Sequence, residues 1–282
     1  MKSIFKFLKI EHTLFSLPLI FSGIFLSSKS LEVISLEFIL LILFVAISAR
    51  TFAMTINRII DKKIDKLNPR TSNRELPSGK LKLSFAIFLL LISGMFYFFL
   101  AYEISNFCFY ISPIPIMVFT VYPYMKRFTK FAHFGVGISL SLASLGGWFA
   151  TETFNNSNIS QNTLPIILFF LFTVFWATGF DIIYSTLDEK FDKKENLFSF
   201  PSRLGKEKAL WFSALFHIIG FLMLILLCFI ELKNIFAFFL VSINGILLFL
   251  EHKKSADVEL AFFKINSIIG FSVLFMILTK FF

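Results

Sequence analysis

Apolar positions in this chain do not alternate with polar ones at the period of an amphipathic strand or helix. They gather into long unbroken runs, with the polar residues collected between them. A helix that crosses a bilayer needs about 20 mostly apolar residues, with about 17–25 tolerated. Nine runs reach or approach that length: Leu14–Leu26, Phe38–Ile56, Leu81–Ala101, Phe107–Tyr122, Phe134–Ala150, Leu164–Ile183, Ala209–Ile230, Ile235–Leu250 and Ala261–Phe282. The first is short and carries Pro18, so its helix is expected to begin earlier, as an amphipathic segment from Phe5. No small-residue cleavage site follows it, and Glu11 and His12 interrupt the pattern, which favours a retained first helix over a signal peptide. The fourth run carries Pro113 and Pro115, tolerable where neighbouring helices cover the freed backbone groups. The pattern predicts an all-α integral membrane bundle of nine transmembrane helices in a single domain over 1–282.

Composition agrees. Hydrophobic residues make up 57% of the 282 and charged residues only 16%, and 43 are Phe. Soluble domains average about 45–50% apolar and about 25% charged, which excludes a soluble globular domain, a disordered chain, a disulfide scaffold and a nucleic-acid partner. Cys108 and Cys228 lie inside apolar runs with no metal or disulfide spacing. The net charge of +9 is informative through its placement. Of 27 Lys and Arg, 23 fall in the N-terminal segment (Lys2, Lys6, Lys9) and in the loops after runs two, four, six and eight. That bias puts the N-terminus and those loops in the cytoplasm.

Two of these loops are acidic as well as basic. At the end of the second run Asn57, Asp61 and Asp65 recur every four residues, and at the end of the sixth Tyr184, Asp188 and Asp192 do the same, with Asp181 one turn earlier. Steps of four or seven return to nearly the same helix face, so each set forms a ladder, and Arg50 lies on the face of the first, deeper in the span. The ladders are offset by 127 residues, and each is followed by Pro-Ser and Gly-Lys (Pro77-Ser78-Gly79-Lys80; Pro201-Ser202 and Gly205-Lys206). The chain therefore reads as pseudo-repeat halves of 1–131 and 132–282 in one orientation, unlike the inverted repeats common in transporters.

Five aspartates brought close repel one another unless a cation neutralises them. An all-oxygen set points to Mg²⁺, which keeps few protein ligands and shares the rest with phosphate and water. The surplus of Arg and Lys then serves as a clamp on an anion, and a diphosphate bridged by Mg²⁺ satisfies both signs. Glu189, Glu195 and the neighbouring lysines read as solvated loop charges. An Arg inside a span costs about 2.5–3.5 kcal/mol on insertion scales and faces a cavity or a partner; for Arg50 the available partner along the helix is Asp61. The four histidines and the individual aromatics are read as structural.

At these residues the chain resembles the UbiA-type intramembrane aromatic prenyltransferases along nearly its whole length. The Asn57/Asp61/Asp65 and Asp181/Tyr184/Asp188/Asp192 sets match the family's two signatures in spacing. The stretch NPRTSNRELPSG at 68–79 and the basic YPYMKR at 122–127 are similar to segments that follow them. The resemblance implies a nine-helix barrel around a central cavity. It implies that Asn57, Asp61, Asp188 and Asp192 hold Mg²⁺ with diphosphate, with Asp65 and Asp181 as ligands or orienters, and that Asp61, Asp181 and Asp188 are catalytic. Arg70, Arg74, Lys126 and Arg127 are implied to bind substrate on the diphosphate side, Tyr184 to bind diphosphate or shape the cavity, and Arg50 to meet the carboxylate of the aromatic acceptor. Asp181 or Asp65 is implied to assist loss of the ring proton. Glu11 and His12 stand where many relatives carry an arginine, so no role is assigned there.

The activity implied is Mg²⁺-dependent transfer of a polyprenyl group from its diphosphate to a ring carbon of 4-hydroxybenzoate in ubiquinone synthesis, with a naphthoate-type acceptor of menaquinone synthesis as the alternative. A polyprenyl diphosphate, an aromatic acid and membrane lipid are the expected partners, with no obligate protein partner. A membrane transporter is the reading from a different class; it would place its ionisable residues near the midplane, whereas these gather at one face. The compact aspartate motif of a phosphatidyl-alcohol transferase is absent, and a purely structural protein would leave the paired ladders unexplained.

Overall fold

The computed structural model describes residues 7–8, 13–31, 34–154 and 162–282. Lys2, Lys6, Lys9, Glu11, His12 and the amphipathic start expected from Phe5 lie outside the described residues. Every regular element among the described residues is helical: α1 (Thr13–Ser27), α2 (Leu36–Leu67), α3 (Leu83–Ile104), α4 (Asn106–Ile111), α5 (Pro113–Met125), α6 (Ala132–Thr153), α7 (Leu164–Ser185), α8 (Glu189–Lys194), α9 (Phe200–Leu204), α10 (Lys206–Leu227), α11 (Ile235–Lys253) and α12 (Asn266–Leu278), with short 3₁₀ and π segments at their ends. Eight helical stretches among the described residues are long and apolar enough to cross a membrane, and α1 is a shorter apolar helix beside them. The protein is an integral membrane protein.

Local chemistry accounts for the boundaries. Ser35 caps α2 by accepting from the Phe38 N–H at 3.2 Å, and α2 stops at Asn68, ahead of Pro69, which disfavours helical geometry in the residue before it. The fourth apolar run is two helices rather than one. Ser105 caps α4 through the Cys108 N–H at 3.0 Å. Pro113 then opens α5 at the first helical position, where its missing N–H costs nothing.

The chain divides into two compact units, Met1–Leu14 with Ser35–Tyr124, and Phe15–Ile34 with Met125–Phe282. In the first, α2 packs along α3, and the loop between them is anchored by Leu76 and Leu81, buried with Phe7 and Ala86. In the second, α7 is the central helix, packed against both α6 and α10, and nearly every residue from Phe172 to Ile183 is buried. A helix apolar all round belongs in such an interior. Its approach to α6 is close: a Cβ at Gly137 would lie 2.6 Å from the Thr178 hydroxyl and closer still to the Val174 carbonyl. Small residues of this kind let backbones meet where no hydrophobic effect drives helices together. Outward positions such as Phe88, Leu91, Met95, Phe236, Phe239 and Phe275 are exposed, as a surface solvated by hydrocarbon allows.

A buried polar network joins α7, α10, α11 and α12. Asn266 accepts from the Trp176 indole N–H at 2.6 Å and lies 2.9 Å from both Glu251 Oε1 and the Ala261 carbonyl, while His217 sits 3.1 Å from the Trp176 carbonyl and 2.9 Å from His252. Buried donors and acceptors left unmatched cost about 1–3 kcal/mol each. Asn266→Ala is therefore expected to lower the stability of the detergent-solubilised protein by about 3 kcal/mol or more, read as the midpoint of thermal aggregation.

Candidate active site

The first ladder extends α2 as one uninterrupted helix. Asn57, Asp61 and Asp65 share its face, and Asp61 and Asp65 are each only 5% exposed. Carboxylates are unfavourable at a helix C-terminus, where the macrodipole is negative, and burying them without partners is worse. Their presence in the last turns of α2 therefore calls for positive charge. Part of it is visible: Arg74 Nη1 donates to both oxygens of Asp65 at 2.8 and 2.9 Å. The Thr71 hydroxyl also donates to the Asp65 carbonyl at 3.0 Å, folding the loop back onto the helix end. Asn57 Nδ2 donates to the Tyr122 hydroxyl at 2.9 Å, tying the ladder to the start of the basic YPYMKR segment. Arg50 is half-buried two turns before Asn57, and Arg70 is exposed with its N–H on the Asn68 side chain at 2.9 Å. Arg74→Ala leaves Asp65 buried without this partner; with Arg74 itself 26% exposed, a loss of about 1–3 kcal/mol of stability is expected, measured by thermal denaturation in detergent.

The second ladder departs from the continuous helix its spacing predicts. α7 ends at Ser185, one 3₁₀ turn covers Thr186–Asp188, and α8 carries Asp192. At the break the Ser185 and Thr186 hydroxyls each bond back to a carbonyl three residues earlier, of Ile182 and Ile183, at 2.8 Å, in competition with the helix ladder. Asp181, Asp188 and Asp192 are half-buried. The Tyr184 ring lies over Phe262 with centroids 4.3 Å apart. Glu189, read as a solvated charge, pairs with exposed Lys193 at 2.6 Å one turn on.

The segment after α8 folds back through three consecutive residues, the middle one of which meets the ladder. The Phe198 N–H donates to the Lys126 carbonyl at 2.7 Å, the Ser199 hydroxyl donates to Asp192 Oδ2 at 2.9 Å, and the Phe200 N–H donates to His133 Nε2 at 3.3 Å. His133 in turn lies 2.7 Å from Asp181 Oδ2 through Nδ1. Ser199 and Ser202 form a capping box that holds this segment at the start of α9. Lys126 and half-buried Arg127 follow α5. Gly79 and Gly205, the glycines of the two Gly-Lys pairs, both have positive φ, 77° and 83°. Sequence reasoning passed over His133 as structural. The signal was topological: it sits in the first turn of α6, at the same end as Asp181 on the antiparallel neighbour α7.

Among the described residues no three His, Cys, Asp or Glu side chains close into a metal cage. Mg²⁺ does not require one, since it is bound through one or two carboxylates plus substrate phosphates and water. The oxygen-bearing side chains of each ladder fit an ion that arrives with a diphosphate.

The model of the UbiA prenyltransferase family matches residues 16–268. The chain belongs to that family. This UbiA-family protein is 28% identical over 245 residues to the 4-hydroxybenzoate octaprenyltransferase of Vibrio atlanticus, an alignment spanning 84% of this chain and 83% of the relative. Its fold matches a UbiA homolog from Aeropyrum pernix at 27% identity with a TM-score of 0.83, over 96% of this chain and 97% of that one. It also matches a UbiA homolog from Archaeoglobus fulgidus, solved with DMAPP and Mg²⁺ bound, with a TM-score of 0.74 over 99% and 98% of the two chains; at 17% identity that likeness concerns the fold. As a UbiA-family member the chain is an enzyme, a prenyltransferase, and the all-helical bundle expected from its motifs is the fold it has.

Proposed function

We propose that this prenyltransferase moves a polyprenyl group from polyprenyl diphosphate to the ring carbon ortho to the hydroxyl of 4-hydroxybenzoate, the polyprenylation step of ubiquinone synthesis. What carries the reading is the pair of aspartate ladders in a chain whose curated relative over 84% of its length is a 4-hydroxybenzoate octaprenyltransferase. The reading places the chain in a bacterial inner membrane as nine spans and a single domain of two like-oriented halves, with its N-terminus and active site on the cytoplasmic side.

Asn57, Asp61, Asp65, Asp188 and Asp192 are assigned as oxygen donors for Mg²⁺ and diphosphate. Bound Mg²⁺ would supply positive charge to the leaving diphosphate. Arg70, Arg74, Lys126 and Arg127 add fixed positive charge for the phosphate oxygens, worth most where charge builds in the transition state. Tyr184 lines the diphosphate side, and Arg50 takes the carboxylate of the acceptor. Apolar walls keep water from the allylic cation until the ring attacks it, and Asp181 accepts the ring proton.

Membranes containing the chain, a radiolabelled polyprenyl diphosphate and Mg²⁺ test this directly, with 4-hydroxybenzoate and a dihydroxynaphthoate offered in parallel. Prenylated 4-hydroxybenzoate, abolished by EDTA and restored by added Mg²⁺, is the expected result. Product from the naphthoate alone would replace the acceptor, and no product from either with folded protein would overturn the reading.

A further inference from the structure

We propose that His133 is a positioning residue that aims Asp181 at the departing ring proton and does not itself relay that proton. The inference rests on the prenyl-transfer reading above. Its starting point is a tautomer fixed by geometry. A backbone N–H can only donate, so the Phe200 N–H 3.3 Å from His133 Nε2 requires a lone pair on that nitrogen. The ring is then neutral with its hydrogen on Nδ1, and Nδ1–H donates to Asp181 Oδ2 at 2.7 Å. His133 is 4% exposed, and the Thr178 hydroxyl donates to its carbonyl at 3.4 Å, so ring and backbone are both held by α7 and α9.

Two consequences follow for the proton. Nδ1 already carries a hydrogen and Nε2 is occupied, so nothing passes from Asp181 through the imidazole. Oδ2 is engaged, which leaves Oδ1 as the oxygen of Asp181 turned to other work. In the transfer, the carbon–oxygen bond to diphosphate breaks and the ring carbon bonds to the allylic carbon. That ring carbon's C–H bond then breaks, its electron pair restores the aromatic ring, and the proton goes to Asp181 Oδ1. The aim of Oδ1 is set by His133, and the aim of His133 by Phe200. The segment that brings its Ser199 hydroxyl to Asp192 therefore also orients Asp181 through the next residue.

The test uses the full chain in membranes and 4-hydroxybenzoate deuterated at both positions ortho to the hydroxyl. In the unmodified enzyme a well-aimed Asp181 is expected to take the proton faster than the carbon–oxygen bond breaks, so that kcat carries no isotope effect. His133→Phe keeps a ring of similar size but no donor; kcat is expected to fall about 10–100-fold, the cost of a misplaced reacting group. A primary isotope effect should appear, with KM for both substrates unchanged. His133→Asn, which restores an N–H donor, is expected to recover most of kcat and to remove the isotope effect. Should His133→Phe not accumulate, His133→Ala gives the same readout. A variant without the donor that turns over acceptor with no isotope effect would overturn the inference while leaving the prenyl-transfer reading standing. An unmodified enzyme that makes no product would instead overturn that reading.

Discussion

Asp188→Ala is expected to lower kcat by at least about 10²–10³-fold, the size of effect seen when one preorganised group stabilising developing charge is removed. Asp61→Ala is expected to do the same. The two aspartates come from equivalent places in the two ladders, Asp61 near the end of α2 and Asp188 in the 3₁₀ turn that follows α7. Asp61 is 5% exposed, and the Asp61→Ala variant is expected to insert and fold while losing turnover. Size-exclusion profiles in detergent and prenyl transfer in membranes measure the two halves of this statement. Wild-type turnover in either variant would remove the two-ladder site.

Arg50→Ala is expected to act on the other substrate. A charged hydrogen-bond partner is worth about 1.5–3 kcal/mol, so KM for the aromatic acid should rise about 10–100-fold, while KM for the prenyl diphosphate stays where it was. Arg50→Lys is expected to recover only part of the loss, because an ammonium cannot reproduce the planar fork that a guanidinium offers to a carboxylate. Steady-state kinetics with each substrate varied in turn decide it; an equal rise in both KM values would show that Arg50 serves the site generally and does not read the acceptor.

Much of this protein was legible before any coordinates. Long apolar runs declare spans because hydrocarbon demands helices whose backbone bonds are satisfied internally, and the helical interior of α7 follows from Leu164–Ile183 being apolar on every side. The first ladder was legible for the same local reason: a four-residue spacing on a continuous helix is a face, and α2 is continuous through Asp65. The second was legible in its residues but not in its path, since α7 ends at Ser185 and a 3₁₀ turn intervenes before Asp188 is passed. The fourth run concealed a break at Ser112 that Pro113 and Pro115 signalled only as a strain on one helix.

The sequence by itself determined which residues lie along each helix and at which end, because helical periodicity and the span length act over a few residues and need no partner. Tertiary structure alone decided which oxygen meets which donor. Arg74 reaches Asp65 across a turn of nine residues, Ser199 reaches Asp192 across seven, and His133 reaches Asp181 across 48. Nine and 48 are not helical repeats, and the seven residues to Ser199 leave the helix at Lys194. Each exists because a loop folds back or two helices pack side by side, and because a buried carboxylate must find a donor wherever the chain brings one.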